Sequence, residues 1–397
     1  MWVSFDEGEH WDSLQGNLPH TSMRDLAIHG QDLILATHGR SFWILDDISP
    51  LRQVDALAAP GEAALLAPAP AVRIQRDTNT DTPIPPDEPA GRNPPDGAVI
   101  DYYLAKRAAT PLVLEILDAA GAAVRRFSST DPPPYTAADL AHELIPAYWI
   151  RMPQTLASSA GLHRWVWDLR YPAPRAAQRG FPIAAVPGDT PQTPLGPSVV
   201  PGNYRVRLSL GAHHWEQPLQ VLPDPRVQLP AEGYAQQLQL ARQLAGALDE
   251  STAALLAARS LRAQAQAVAE HAGAALGERL KSFTARVTDL IGTSDDAAPA
   301  GTAGAAETSA ARRHLLQLNT DLAALYDQVL RADAAPTAAQ GAASAAALGA
   351  WRALQGEWQP LRGPELAALN ASLQQASLGA LRAELAPPRD LDLADVE

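Results

Sequence analysis

Ser4-Phe5-Asp6-Glu7-Gly8-Glu9-His10-Trp11 fits the pattern S-x-D-x-G-x-x-W, and its chemistry is that of a tight hairpin. Glycine takes φ > 0 without steric cost, so Gly8 is expected at the sharp point of the turn, with the Ser4 and Asp6 side chains bonding turn amides. Trp11 is then expected to fold back into a core. Around this turn, Trp2-Val3-Ser4-Phe5-Asp6 and Trp43-Ile44-Leu45-Asp46-Asp47 share one strand-to-turn pattern at an offset of 41 residues. A period of roughly 40–45 residues, with about four strands per unit, is the signature of a propeller blade. Between the two copies Met23–Ile28 and Asp32–Thr37 read as strands separated by the turn His29-Gly30-Gln31. The opening Met1-Trp2-Val3 has no basic or apolar leader and reads as mid-strand, so more sequence is expected upstream.

Outward from this stretch the character changes twice. Residues 54–97 are Pro-rich and weakly patterned. Thr82-Pro83-Ile84-Pro85-Pro86-Asp87-Glu88-Pro89 cannot hydrogen-bond as an interior strand, so the segment reads as a linker or tether. Clear strands follow at Ala98–Leu104, Pro111–Leu117, Ala123–Phe127, Gly161–Leu169, Asn203–Leu210 and His214–Leu222, and residues 98–223 are expected to form a β-sandwich. Seven of the nine tryptophans lie at or before Trp215, whereas prolines are almost absent between Ala231 and Ala298. From about Pro230 the chain is dominated by helix formers. Tyr234, Leu238, Ala241, Leu244 and Leu248 share one helical face, continued by Leu255, Leu261 and Val268. Leu276–Ile291, Arg312–Leu330, a stretch with Trp351, Leu354 and Trp358, and Leu366–Leu381 extend the pattern, with Ser294–Glu307 as a low-complexity loop. Residues 230–385 are expected to form an Ala-rich helical bundle.

The Ser4–Trp11 motif resembles the Asp-box, the BNR repeat of sialidase-like and sortilin-like propellers. Ala36-Thr37-His38-Gly39-Arg40-Ser41-Phe42-Trp43-Ile44-Leu45-Asp46-Asp47 looks like the last blade of large proteins of that kind, often labelled glycosyl hydrolases. Asn93-Pro94-Pro95-Asp96-Gly97-Ala98, Gly161–Arg170 and Pro201–Leu208 resemble their connection into an immunoglobulin-like domain. The resemblance covers residues 1–230. It implies that 1–53 are terminal blade strands, that 98–223 are an immunoglobulin-like sandwich, and that the protein is extracytoplasmic, secreted or periplasmic. It also implies that the box (Ser4, Asp6, Gly8, Trp11) staples a blade rim and takes no part in catalysis. The expected architecture is therefore multidomain: propeller blade remnant, sandwich, all-α bundle.

Other candidates carry less. Asp46 and Asp47 beside Arg40 suggest a carboxylate pair, but adjacent strand residues point to opposite faces, so a degenerate turn is the better reading. Asp168 and Arg170 read as an ion pair on one strand face. Trp165 and Trp167 share a face and, with Trp215, could form a sugar-stacking platform, although buried tryptophan in a sandwich core is commoner. His213 and His214 lack further ligands at metal spacing, and Pro132-Pro133-Pro134-Tyr135 formally matches a WW-domain ligand. There is no H-E-x-x-H, G-x-S-x-G or phosphate loop. No catalytic residue, metal or cofactor is expected.

Composition narrows the classes further. The 397 residues are 46% hydrophobic and 19% charged, which excludes global disorder. A net charge of −13 argues against nucleic-acid binding. The absence of cysteine excludes disulfides, Cys-ligated zinc and thiol catalysis, and no apolar run suits a membrane span. The expected role is a non-catalytic structural and recognition region, supporting upstream propeller blades and a protein or glycan ligand. Its rival is an accessory part of a glycoside hydrolase whose catalytic residues lie upstream.

Overall fold

A computed structural model describes residues 1–58, 61–75, 87, 91, 93–136, 138–177, 179–183, 186–292 and 313–383. The front of the chain forms two small sheets. β1 (Trp2–Val3) pairs with β2 (Asp12–Ser13), and β3 (Met23–His29), β4 (Asp32–Thr37) and β5 (Phe42–Leu45) form an antiparallel meander. The turn at Gly30 joins β3 to β4, as expected. The four-stranded unit implied by the 41-residue period is not formed among these residues: β1 and β2 have two residues each and close on themselves as a separate ribbon.

After a short helix, α1 (Asp55–Ala58), come β6 (Ala63–Leu65), β7 (Ala71–Arg73), β8 (Ala98–Leu104), β9 (Leu112–Leu117), β10 (Ala123–Ser128), β11 (Gly161–Trp167), β12 (Gly202–Leu210) and β13 (His213–Pro223). A curled mixed sheet runs β10-β9-β12-β13-β7, with β7 parallel to β13 and the other pairs antiparallel. A second sheet runs β11-β8-β6. Strict alternation drives both. On β12, Tyr204, Val206, Leu208 and Leu210 point inward, and on β8 Ala98, Ile100, Tyr102 and Leu104 do the same. These inward rows share one apolar core, in which each large side chain contributes about 1.5–3 kcal/mol.

The segment expected to be a linker supplies β6 and β7. Three-residue strands are too short to show alternation, and the prolines at 68 and 70 are tolerated because β7 is an edge strand. The Thr82–Pro89 stretch falls outside the described residues except for Asp87.

The helical region begins at α2 (Ala231–Ala269), directly after the Pro223–Pro230 boundary, and continues with α3 (Ala274–Ile291), α4 (Leu315–Leu330), α5 (Ala338–Pro360) and α6 (Leu366–Gln375). Ala241, Leu244, Leu248, Leu255 and Leu261 of α2 are buried, with Leu238 and Val268 half-buried beside them. Thr337 starts α5 with a reciprocal capping box to Gln340. A π-turn at Leu361–Glu365 links α5 to α6, where Pro364 has no N–H to continue the i→i−4 ladder. The loop read at Ser294–Glu307 lies outside the described residues.

The helices are fastened to the sheets. Ala176 and Ala177, from the excursion between β11 and β12, sit in the helical core. Tyr326 on α4 donates its hydroxyl to Leu195 O at 2.6 Å, and Arg175 binds Asp249 of α2 through two hydrogen bonds of 3.0 and 2.8 Å.

Candidate functional site

The Ser4–Trp11 turn is built from its own side chains. Ser4 Oγ accepts the Gly8 amide at 2.7 Å, and Asp6 Oδ1 accepts the His10 amide at 2.9 Å and the Ser4 hydroxyl at 2.9 Å. Glu7 (φ 59°) and Gly8 (φ 97°) take the left-handed region, the second at a value that strains any residue with a Cβ. The His10 amide, then its side chain, holds the Asp6 carboxyl below its ordinary value. Trp11 departs from expectation. It is 59% exposed, and its Nε1–H donates to Gly8 O at 3.0 Å. A two-residue ribbon has no inner face to receive an indole, so the ring stays on its own turn.

A bond of the same kind occurs at Trp43, which the 41-residue offset matches to Trp2 and not to Trp11. Trp43 Nε1 donates to Arg40 O at 2.9 Å, again three residues back. Asp46 and Asp47 lie past the end of β5. Asp47, at φ 54°, accepts the Ser49 amide at 3.0 Å, so it serves a turn. Burial, reinforced by Asp32, raises the Asp46 carboxyl. The carbonyls of both residues are held by Arg164, which also grips Asp101 on β8 at 3.0 and 3.1 Å. That arginine ties the end of β5 to the larger sheets.

Residues 23–45 present an apolar surface. Leu26 and Ile28 stand on one face of the three-stranded sheet with Leu45, and Ile44 and Phe42 on the other; all five are exposed, Phe42 by 74%. On the first of these faces the centre is covered, where Leu33 and Leu35 of β4 are buried.

The three tryptophans proposed as a platform are not on one surface. Trp165 and Trp167 lie on β11, buried; Trp167 is 0% exposed and stacks edge-on to Tyr204 at 5.8 Å, while Trp165 meets Phe127 at 4.7 Å. Trp215 is on β13, in the other sheet, packed against the same core. The inward phase of β11 puts both indoles between the layers, which removes them from any sugar.

Asp168 and Arg170 are not a strand-face pair. β11 ends at Trp167 and Leu169 turns to φ 56°. Asp168 accepts the Arg170 backbone N–H, while the Arg170 guanidinium donates to Gly196 O at 2.9 Å. Burial pushes the Asp168 carboxyl up, opposed by Arg125, Arg170 and Arg151. Sequence alternation could not show this, because a non-glycine residue at positive φ leaves no periodic trace. Tyr135 of the Pro-Pro-Pro-Tyr motif is buried against Phe181, with its hydroxyl donating to Arg151 O, so the motif cannot present itself to a WW domain. His213 faces Glu62 at 3.3 Å.

One grouping the sequence reading missed is Asp6, Glu9 and His10, whose ligand atoms lie within 4.8 Å of one another. The D-x-x-E-H spacing was its visible signal. Asp6 is already engaged by the turn, with its Oδ2 2.5 Å from His10 Nδ1. Among the described residues no helix is long and apolar enough to cross a membrane. No family model, no curated protein and no solved structure matches the chain.

Proposed function

We propose that this chain is a non-catalytic structural and recognition region of a larger BNR-repeat, sortilin-like propeller protein acting outside the cytoplasm. In this reading residues 1–53 are rim strands of the propeller and the layered strands of 98–223 are an immunoglobulin-like sandwich. Together they support binding of a protein or glycan. The observation that carries the reading is the β3-β4-β5 sheet, whose outer strands expose apolar residues on both faces, Phe42 and Ile44 on one and Leu26, Ile28 and Leu45 around buried Leu33 and Leu35 on the other. A sheet facing water on one side alternates apolar with polar residues; one meant to be stacked between neighbours does not. Repeat units of this kind bury their faces only against further copies. The Asp-box turn at Ser4–Trp11, held by its own side chains, supports the same assignment.

Catalysis belongs elsewhere in this account. Glycoside hydrolysis uses two carboxyls roughly 5–10 Å apart across an open site, and the Asp47 carboxylate is taken up by a turn amide. Residues 1–397 screened against aryl glycosides, sialosides and esters, with and without divalent metals, should show no turnover. The reading frame continuous with Trp2 should encode further Asp-box repeats. Turnover abolished by replacing one acidic residue of this chain would overturn the proposal.

A further inference from the structure

The last described residues leave the helices and lie across them. Ser377, at φ 58°, ends α6, and the Leu378 amide returns to Leu373 O at 2.9 Å, closing the helix. From Leu378 to Ala383 the chain is neither helix nor strand, yet its backbone is held from two sides. Asn370 of α6 takes both polar groups of Leu381: its Oδ1 accepts the amide at 2.8 Å and its Nδ2 donates to the carbonyl at 2.9 Å. Gln264 of α2 does the same for Arg382, at 2.9 and 3.0 Å. Successive residues of an extended chain turn their N–H and C=O to opposite sides, so this is the bonding of a strand between two neighbours. Two side-chain amides stand where the neighbouring strands would.

These clamps touch main chain only, so selection falls to the side chains beneath. Leu381 is 3% exposed in the helical core, Arg382 faces outward, and Ala383 is half-buried against the same core. Alternation therefore places positions 381 and 383 on one inward face. They are unequally filled. Leu381 occupies its site, whereas Ala383 only borders a cleft of about 520 Å³ that is also lined by Ala253, Ala254 and Ala257 of α2 and by Trp351 and Trp358 of α5. A methyl group is a small occupant for that space.

We propose that Gln264 and Asn370 frame a recognition groove for an extended peptide of a partner protein, and that residues 378–383 are its occupant in cis. The partner carries a leucine where this chain has Leu381 and a large apolar residue two positions on. The clamps fix its register, its leucine takes the buried site, and its larger residue enters the cleft, so it displaces the tail. The groove is built by helices alone and does not depend on the propeller reading.

The test is fluorescence anisotropy with two labelled hexapeptides, Leu-Gly-Ala-Leu-Arg-Ala, the sequence of residues 378–383, and Leu-Gly-Ala-Leu-Arg-Phe. Each is titrated with residues 1–397 as wild type and as Arg382→Pro, which deletes the amide given to Gln264 at an exposed position. Leu381→Ser, which removes the anchor, gives a second release of the tail, and circular dichroism checks the fold of each variant. The phenylalanine peptide should bind the released variants about tenfold or more tighter than the alanine peptide. It should bind wild type more weakly than either variant, because the tail competes. Asn370→Ala added to Arg382→Pro should weaken it about tenfold. No binding to either released variant up to about 1 mM, or equal affinity for the two peptides, would overturn the proposal. Self-association of wild type that is lost in Arg382→Pro would place a second copy's tail in the groove and overturn it as well.

Discussion

Arg73 on β7 and Asp333, between α4 and α5, form an ion pair of 2.6 Å whose side chains are 4% and 3% exposed. The same guanidinium bonds Gln237 of α2 at 2.9 Å and Val199 O at 2.8 Å. The sheet and the helices therefore share a buried charge pair and cannot be parted without exposing it. Removing one partner strands the other charge, at a cost of about 3–5 kcal/mol. Asp333→Ala should lose that much in urea denaturation, and Arg73→Met with Asp333→Leu should recover most of it. A single variant that unfolds like wild type would show that the pair does not join the two parts.

Trp11 and Trp167 separate two kinds of tryptophan. Trp167→Ala empties a core site and should cost about 3–5 kcal/mol. Trp11→Ala loses one exposed hydrogen bond, worth about 0.5–1.5 kcal/mol, and its ring contact with the turn. Thermal melts of the two variants should rank in that order. Equal losses would mean that Trp11 is covered in solution.

Asp168 predicts a pH dependence. Its carboxyl is raised in the folded protein, mainly by burial. Below the unfolded value, near 4, both states hold the proton and the folded state carries no charge cost. As pH rises from there through the folded value, the unfolded state ionises more readily and this stability is lost. Asp168→Asn, which keeps an acceptor for the Arg170 amide, should raise the melting temperature at pH 7 and leave it unchanged at pH 3. A lower melting temperature at pH 7 would show that the three neighbouring arginines outweigh burial.

Ile28→Lys with Ile44→Lys puts a charge on an exposed apolar position of each face of the β3-β4-β5 sheet. Both residues are exposed, so secondary structure should be retained. Wild-type residues 1–397 should self-associate and bind an apolar dye, and the double variant should do so less, by light scattering and dye fluorescence. Identical behaviour would argue that neither face is sticky.

The long strands were legible because alternation repeats: β8, β9, β12 and β13 lie within two residues of their expected bounds. The helices were legible from spacing, and Leu244, Leu248, Leu255 and Leu261 are buried as the pattern requires. The Ser4, Asp6 and Gly8 turn bonds follow from residue type alone. What periodicity cannot carry was missed: the three-residue strands β6 and β7, the positive φ of Leu169, and the joining of Arg73 to a residue 260 positions away. The tryptophan platform failed because Trp165 and Trp167 do share a face, and that face points inward.

The central claim is that the β3-β4-β5 sheet is an incomplete stack whose exposed apolar residues are covered by further repeats. Hydrogen exchange of Leu26, Ile28, Phe42 and Ile44 tests it directly, comparing residues 1–397 alone with the same residues joined to the polypeptide encoded in frame before them. Fast exchange is expected alone and strong protection in the longer protein, with the buried strands β8 and β12 unchanged. Equal exchange in the two proteins would contradict it.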